Sequence, residues 1–207
     1  MAIFLCLMVG YLLGSLNGAI LISRLFRHED VRTKGSGNAG MTNFMRNYGW
    51  STTVLVIVVD LGKAFLSIWL ATLIWPQGGE LAWMLDGVAA QVGHVFPVFF
   101  GFRGGKGILT AAGVAIAMDW RAFLLVLAVF LLFFVFTKYV SLGSVMAAIA
   151  YPAAFWIFFP KEYRIFALSC VMAALAIFMH RGNIKRLLHG QERKTYLHAS
   201  KNKEDHP

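Results

Sequence analysis

Three polar segments interrupt an otherwise apolar chain, and each carries groups that can hold a phosphate. In the first, residues 32–46, glycines alternate with hydroxyl and amide side chains, and no acidic residue lies between positions 31 and 59. Glycine permits positive φ, so successive backbone N–H groups can converge on one anion while the side chains add donors. The segment predicts either an anion site or a solvated, turn-rich connector. Its candidate residues are Gly35, Ser36, Gly37, Asn38, Thr42, Asn43 and Arg46.

The second segment, Gly101-Phe-Arg-Gly-Gly-Lys-Gly107, opens a short apolar stretch. A glycine-rich turn with a lysine at a helix N-terminus offers free N–H groups, the positive end of the helix dipole and a fixed charge. A nucleotide P-loop is excluded, because Phe100 stands where that motif needs glycine and Gly107 where it needs Ser or Thr. The segment predicts a helix-capping turn or a phosphate or carboxylate site without nucleotide specificity, with Gly104, Gly105, Lys106 and Gly107 as candidates.

The third segment runs from His180 to Glu192, where the last apolar stretch ends. On a helix, His180, Asn183 and Arg186 recur every three residues and share a face. Histidine can transfer a proton near neutral pH, and arginine can bind phosphate with two N–H groups. The alternative is a basic anchor that touches anionic lipid.

Ionisable residues also occur inside apolar stretches. A charge at mid-bilayer costs about 2.5–3.5 kcal/mol or more, so Asp60 and Lys63, one helical turn apart, are predicted to pair. The pair either has a structural role or orients Lys63 toward a substrate. His94 is either a hydrogen bonder between helices or a functional residue. Ser141 and Ser144 follow Lys138 at the start of another apolar stretch.

The elements that position these residues must be membrane helices. Of 207 residues, 58% are apolar and only 14% are charged, whereas soluble domains carry about 25% charged residues. The 18 Phe and 6 Trp exclude a disordered chain. The composition therefore predicts an all-α, polytopic integral membrane protein. Cys6 and Cys170 both lie in apolar stretches and are predicted to be packing residues.

Seven apolar stretches are predicted to span the bilayer: 2–23, 52–75, 81–100, 107–118, 122–137, 139–159 and 165–179. The stretch 107–118 would be about 18 Å long as a helix, short of the ~30 Å hydrocarbon core. The fallback is five spans plus a re-entrant hairpin that turns at 119–121. Residues 1–192 are predicted to form one transmembrane domain, and residues 193–207 a polar, basic cytoplasmic tail.

Basic residues predict the orientation of the chain. Of its 19 Lys and Arg, 15 lie in segments that share one side: 24–50, 101–107, 138 and 180–207. Cytoplasmic loops carry such an excess, so the N-terminus is expected outside and the C-terminus in the cytoplasm. The three polar segments then meet at the inner interface. The net charge of +9 also suits anionic lipids or substrates.

Several enzyme classes are excluded by missing motifs. No histidine has an aspartate five residues later, as the His-x4-Asp glycerolipid acyltransferases require. Asp86-Gly-Val-Ala-Ala-Gln91 begins like the motif of the CDP-alcohol phosphotransferases, but Gln91 breaks it. There is neither a Gly-x-Ser-x-Gly elbow nor a metal-ligand cluster, so no metal and no cofactor are expected.

Four motifs together match one known family in order and spacing. They are Gly35-Ser-Gly-Asn-Ala-Gly-Met-Thr-Asn43 with Arg46, Gly93-His94 with Phe99-Phe-Gly-Phe-Arg-Gly-Gly-Lys-Gly107, Tyr139-Val-Ser-Leu-Gly-Ser144, and His180-Arg-Gly-Asn-Ile-Lys-Arg186. From its first span to about Glu192, the chain resembles the bacterial acyl-phosphate:glycerol-3-phosphate acyltransferases. Three positions depart from the family's pattern, namely Met41, Ala64 and Met179.

The resemblance implies seven helices in the bacterial inner membrane and an active site that faces the cytoplasm. It implies transfer of a fatty acyl group from acyl phosphate to the 1-hydroxyl of sn-glycerol 3-phosphate, giving lysophosphatidic acid and phosphate, the first step of phospholipid synthesis. It implies catalytic roles for Ser36, Lys106, Asn183 and His180. The substrate-binding residues that it implies are Gly35, Gly37, Asn38, Thr42, Asn43, Arg46, Lys63, His94, Gly104, Gly105, Gly107, Ser141, Ser144 and Arg186.

The expected partners are the two substrates, membrane lipid and the soluble enzyme that makes acyl phosphate, with no nucleic acid. Direct transfer is expected rather than an acyl-enzyme, because no thiol and no Ser-His-acid set is suitably placed. His180 or the donor's own phosphate would accept the hydroxyl proton. Two rival functions remain: a small anion or phosphate transporter, which should show internal repeats, and a lipid-binding scaffold without catalysis.

Overall fold

The computed structural model describes residues 1–195 and is all-helical over that range, as the composition predicts. Residues 196–207, most of the predicted tail, lie outside the described part of the chain. Ten α-helices occur within residues 1–195: α1 Ala2–Gly14, α2 Gly18–Arg27, α3 Met41–Tyr48, α4 Trp50–Ile74, α5 Gly79–Val95, α6 Ile108–Met118, α7 Trp120–Thr137, α8 Val140–Phe158, α9 Tyr163–Met179 and α10 Arg181–Leu188.

Four helical segments in the described range are long and apolar enough to cross a bilayer: Ala2–Arg27, Trp50–Ile74, Trp120–Thr137 and Val140–Phe158. A fifth is obtained if α9 and α10, which meet at 57°, count as one broken span. Helix α5 has 17 residues and α6 only 11. Large apolar side chains such as Trp69, Phe136 and Ile157 are exposed, as expected of a surface that faces lipid. Seven crossings and the orientation remain predictions from the sequence.

The first helix is broken, whereas the sequence predicts an unbroken helix over 2–23. Helix α1 ends at Gly14, and α2 begins after Asn17, whose side-chain oxygen accepts a hydrogen bond from the Ile20 N–H at 3.1 Å. The amide of Asn17 also donates to the Ala39 carbonyl at 3.1 Å. This cap therefore ties the break in the first span to the first polar segment.

Small residues bring α1 unusually close to α5. A Cβ added to Gly14 would collide with the backbone of Ala90, and one added to Gly93 would collide with the Tyr11 carbonyl. Only glycine allows backbones to approach this closely, a common device between membrane helices. The contact holds the end of α5, and with it His94, beside the break after α1.

Helices α6 to α9 form the other half of the molecule, where their facing side chains and those of α4 and α5 make up the larger apolar cluster. Asp119 separates α6 from α7 by capping α7, since its carboxylate accepts from the Arg121 N–H at 2.8 Å. Helix α9 ends at Met179, and the chain bends at His180 into α10. That bend turns the third polar segment back across the end of the helices.

Candidate active site

One cavity of about 820 Å³ joins all three polar segments. One end is polar and is walled by the first segment, α3, the start of α6 and α10. The other end is apolar and extends between α6, α7, α8 and α9. The predicted site residues in its wall are Gly35, Ser36, Asn38, Thr42, Asn43, Arg46, His94, Lys106, Gly107, Ser141, Ser144, His180, Asn183 and Arg186.

Asn43 organises the first segment. Its amide nitrogen donates to the carbonyls of Val31, Lys34 and Asn38 at 3.0–3.2 Å, and its oxygen accepts from the Ser36 N–H at 2.9 Å. Because these bonds use both polar atoms, Asn43 holds the loop around the cavity and has no donor left for a substrate. This differs from the predicted direct contact.

Glycine is required in this loop for conformation and for space. Gly35 has φ of +56° and Gly37 of +71°, values that strain other residues. A Cβ on Gly35 would lie 2.5 Å from the Asn43 amide oxygen. Gly37 shapes the turn but does not line the cavity.

Arg32 connects the first two segments, a role that the sequence does not predict. Its guanidinium donates to the carbonyls of Phe100 at 2.6 Å and Arg103 at 3.0 Å, and it pairs with Asp30 at 2.8 Å. The Arg32 side chain also holds the pKa of the Asp30 carboxyl well below its usual range. The two loops are therefore fastened together beside the cavity.

Two glycines of the second segment act in packing rather than in binding. The N–H groups of Gly104 and Gly105 donate to the carbonyls of Val95 and His94 at 3.0 and 3.1 Å. A Cβ on Gly104 would collide with the His94 carbonyl, and one on Gly105 with the His94 ring. Neither glycine lines the cavity, so this loop is not the open backbone cradle that the sequence suggests.

The remaining part of that segment does reach the cavity. Lys106 lines it, and so do Gly107, Ile108 and Leu109 at the start of α6. The first turn of α3 lines it as well, through residues 41–43. Neither first turn contains an acidic residue. Two helix N-termini, each with N–H groups that have no partner within their own helix and a positive dipole end, thus border the polar end.

A chain of hydrogen bonds connects Lys106 to α10. The Lys106 ammonium donates to the Asn183 amide oxygen. The Asn183 amide nitrogen donates to Glu192 at 2.6 Å, and the Arg186 guanidinium donates to the other Glu192 oxygen at 2.7 Å. Sequence analysis does not identify Glu192 as a site residue, although it lines the cavity. Its carboxylate orients two predicted site residues at once.

Burial shifts the pKa values of the charged residues in this chain of hydrogen bonds. Burial lowers the pKa of Lys106 to about 8, against the opposing attraction of the Glu192 carboxylate. Burial alone would raise the pKa of Glu192, but the donors Asn183, Ser141 and Arg186 outweigh it and lower that pKa. At pH 7 the lysine is therefore positive and the glutamate negative.

Arg46 lies across the mouth of the polar end. Its guanidinium donates to the Thr195 hydroxyl at 2.6 Å and to the Arg193 carbonyl at 3.1 Å. The Thr195 N–H in turn donates to the Lys138 carbonyl at 2.8 Å. Burial lowers the pKa of Arg46, but an arginine stays charged at any physiological pH. This cation is thus held at the cavity by the last described residues.

His180 stands at the bend between α9 and α10, and its Nε2 makes no hydrogen bond within residues 1–195. Its Nδ1 lies 2.8 Å from the Ala176 carbonyl; a carbonyl only accepts, so Nδ1 carries the proton. Burial, and then the charge of Lys106, lower the pKa of His180 to about 4. At neutral pH the ring is therefore uncharged, with Nε2 available as a proton acceptor in the cavity wall.

Lys63 is buried behind the wall rather than in it. Its ammonium lies 2.8 Å from Asp60, which confirms the predicted pair, and 2.8 Å from Nδ1 of His94. A third bond, to the Leu16 carbonyl at 3.1 Å, uses its last proton. Asp60 and His94 line the cavity, but Lys63 does not. The position of Lys63 outside the cavity wall favours the structural alternative over the substrate-binding role that the resemblance implies.

Two serines at the start of α8 mark the junction between the polar and apolar ends. Ser141 and Ser144 are buried and line the cavity. The Ser141 hydroxyl lies near the Glu192 carboxylate and helps to lower the pKa of Glu192, but it makes no hydrogen bond of standard geometry within residues 1–195. Beyond them the wall is apolar, formed by Phe123, Val126, Leu127, Phe130, Ala147, Ala148, Tyr151, Met172, Ala173 and Ala176. A hydrocarbon chain could enter here while a polar head stays among the loops.

Comparison with known proteins agrees with this architecture. A family model described as "Glycerol-3-phosphate acyltransferase" matches residues 4–190. A glycerol-3-phosphate acyltransferase of Prochlorococcus marinus (strain MIT 9215) is 38% identical over 192 residues, which cover 92% of this chain and 96% of the relative. One of Photobacterium profundum is 39% identical over 199 residues, which cover 96% of both chains.

Two solved structures of PlsY, described as an integral membrane glycerol 3-phosphate acyltransferase, are similar over nearly their whole length. The glycerol 3-phosphate form has a TM-score of 0.86 at 35% identity and covers 95% of this chain and 96% of its own. The lysophosphatidic acid form has a TM-score of 0.84 at 34% identity, with coverages of 95% and 97%.

Proposed function

The chain belongs to the glycerol-3-phosphate acyltransferase family, and from that premise we propose its reaction in full. The protein transfers a fatty acyl group from acyl phosphate to the 1-hydroxyl of sn-glycerol 3-phosphate. The new ester bond forms as the acyl–phosphate bond breaks, and the products are lysophosphatidic acid and inorganic phosphate. Residues 1–192 form the acyltransferase domain.

One observation carries this proposal: a cationic polar end and an apolar groove are parts of the same cavity. The polar end contains Arg46, Lys106, Arg186 and two helix N-termini, a set that suits phosphate groups. The apolar groove suits a fatty acyl chain. The shared junction near Ser141 is where an acyl carbon can meet a hydroxyl group of glycerol 3-phosphate.

Lys106 and His180 have complementary roles in this reaction. Negative charge develops on the departing phosphate, and the Lys106 ammonium, held in place by Asn183, stabilises it. His180 is uncharged, and its Nε2 accepts the proton of the attacking hydroxyl group, unless the donor's own phosphate does so. Transfer is direct, since neither cysteine lines the cavity and no hydrogen bond joins a serine to a histidine that could activate it within residues 1–195. Recovery of acyl groups esterified to Ser36, Ser141 or Ser144 after acid quenching would instead establish an acyl-enzyme.

The decisive experiment measures phosphate release and lysophosphatidic acid formation by detergent-purified protein given palmitoyl phosphate and glycerol 3-phosphate. We expect equal amounts of both products. Glycerol in place of glycerol 3-phosphate should give neither product, because it cannot engage the cations. Turnover with palmitoyl-CoA but not with palmitoyl phosphate would overturn the proposed donor and leave the acceptor intact. No product with either donor would overturn the enzyme assignment.

We expect the rate to fall as the pH rises through about 8, the pKa of Lys106. Lys106 acts in its charged form. Because burial lowers its pKa to about 8, the charge is present below pH 8 and lost above it. The phosphate of glycerol 3-phosphate is already dianionic there, since its second pKa is about 6. A pH profile of kcat/KM from 6.5 to 10 tests this.

Lys106→Arg is the control for that profile, because a guanidinium stays charged throughout the range. In this variant the decline above pH 8 should disappear, whatever the absolute rate. An unchanged decline would assign it to another group.

We expect Ala148→Phe to select against long acyl chains. Ala148 lines the groove one helical turn, or about 6 Å, beyond Ser144. A phenyl ring there obstructs a chain that extends further, so kcat/KM for palmitoyl phosphate relative to octanoyl phosphate should fall at least about tenfold. Ile149→Phe is the matched control, since Ile149 is 55% exposed on the outer face of the same helix.

The site is proposed to face the cytoplasm from the inner membrane, where the donor lies in lipid after delivery by the soluble enzyme that makes it. We expect Lys185→Cys on α10 to react with an impermeant maleimide only in inside-out vesicles. Lys161→Cys, at the opposite end of α9, should react only in right-side-out vesicles. The reverse pattern would invert the proposed orientation.

A further inference from the structure

A buried polar cluster joins α4 to α5 at the cavity wall, where two of its members line the cavity and the third lies behind them. It consists of Asp60, Lys63 and His94, which are 1–5% exposed. The Lys63 ammonium lies 2.8 Å from both Asp60 Oδ1 and His94 Nδ1, and 3.1 Å from the Leu16 carbonyl. Asp60 Oδ1 also accepts from the Gly18 N–H at 3.0 Å. The cluster is therefore fixed to the first span at two points.

The contacts determine which nitrogen of His94 carries the proton. An ammonium group has three protons and no lone pair, and Lys63 faces three acceptors. With Lys63 charged to balance Asp60, His94 Nδ1 accepts from Lys63, which leaves the proton of the neutral ring on Nε2. Nδ1 also lies 3.4 Å from Asp60, which is longer than an ordinary N–H···O hydrogen bond, so Lys63 at 2.8 Å is its closer partner. Lys63 thus selects one tautomer of His94.

The Nε2 side of the ring points at the junction of the two glycine-rich loops. A Cβ on Gly105 would collide with Nε2 and would also lie 2.7 Å from the Ala39 carbonyl. No hydrogen bond joins Nε2 to any residue in the described range 1–195, although the ring lines the cavity. The protonated Nε2 is a buried donor that faces the space where both loops end.

From these contacts we infer that Lys63 and Asp60 are positioning residues, which hold His94 as the Nε2–H tautomer so that it donates to a phosphate oxygen between the two loops. The inference rests on the proposed function, because the phosphate belongs to one of the two proposed substrates. It also gives a role to Lys63, a buried lysine that does not line the cavity. The ordinary explanation of such a cluster is an ion pair that only holds α4 against α5.

Nitrogen-15 NMR of histidine-labelled protein tests the tautomer without any acyl transfer. His94→Gln identifies the His94 signals by their loss. We expect native His94 to show a protonated Nε2 and a bare Nδ1, and the Nε2 signal to shift when inorganic phosphate or glycerol 3-phosphate is added. In Asp60→Leu/Lys63→Met, which buries no charge, that tautomer preference should disappear. A native ring protonated on Nδ1, or an unchanged spectrum in the variant, would overturn the inference.

Kinetics separate positioning from a merely structural role. The Asp60→Leu/Lys63→Met variant should raise KM for one substrate about tenfold, the effect of one lost hydrogen bond to a charged group, and change kcat less. Adding His94→Gln should restore KM, because the glutamine amide places a donor near the Nε2 position without needing Lys63. A variant that His94→Gln does not rescue would show that the cluster only supports packing.

Ser67→Ala/Asp86→Asn is the matched control. This pair joins the same two helices through a hydrogen bond, is fully buried and does not line the cavity. It should leave both the His94 spectrum and the two KM values unchanged. If the control alters KM as much as the test variant, the effect is one of helix packing. If the double variant does not fold, Lys63→Met alone is used with the same two criteria.

Discussion

Replacing Lys106 by methionine should lower kcat/KM for acyl transfer by about 10²–10³-fold. Lys106 lines the polar end and is held by Asn183, so its charge is already in place when the phosphate departs. One such preorganised donor contributes about this much to the rate. Measurement of initial phosphate release over a range of both substrate concentrations checks it. The loss should fall mainly on kcat, since charge accumulates on the phosphate in the transition state.

Lys185→Met is the control for charge. Lys185 is exposed on α10, close in sequence to Asn183, and is not part of the cavity wall. This variant removes the same charge and should keep nearly native turnover. A Lys106→Met protein with more than half the native kcat would remove the lysine from the proposed mechanism.

Replacing His180 by alanine should lower kcat by about 10²–10⁴-fold, the usual contribution of a general base. The pKa of about 4 keeps the ring uncharged in any ordinary assay. The native rate should therefore show no decline from His180 between pH 5.5 and 7.5. Because the bond to Ala176 fixes the tautomer, the lone pair of Nε2 stays available over this whole range.

His189→Ala provides the comparison, since His189 is exposed at the end of α10 and lies outside the cavity wall. It should retain native turnover. If His180→Ala is also fully active, the proton goes to the donor's own phosphate instead. A decline of the native rate below pH 7 that exceeds the protonation of the substrate phosphate, whose second pKa is about 6, would contradict the lowered pKa of the histidine.

The outcomes for Asn43 and for Gly104 and Gly105 show how far residue type predicts role. The amide and glycine content of both loops correctly indicates unusual backbone next to a polar site. Yet the Asn43 amide serves its own loop, and the N–H groups of the two glycines are used by the end of α5. A donor that can bind an anion can equally bind a carbonyl group. Only the folded chain decides which acceptor it meets.

Arg32 and Glu192 illustrate what sequence reasoning missed. Arg32 binds carbonyls 68 and 71 positions away along the chain. Glu192 joins residues of α10 and is itself the first acidic residue after it. The only available signal for Glu192 is that it is the single negative charge among the many cations from 180 to 203. A single sequence does not show which of these cations Glu192 pairs with.

The sequence by itself determined the features that depend on residues close together along the chain. Its apolar content requires helices, because backbone groups in lipid must bond within their own segment. Spacing along one helix predicts the Asp60–Lys63 pair and the shared face of His180, Asn183 and Arg186. Tertiary structure alone decided the contacts between helices: the lysine turned toward His94, and the loops fastened by Arg32. Those contacts depend on how the surfaces of different helices pack together. Packing depends on the shapes of many side chains from distant parts of the sequence.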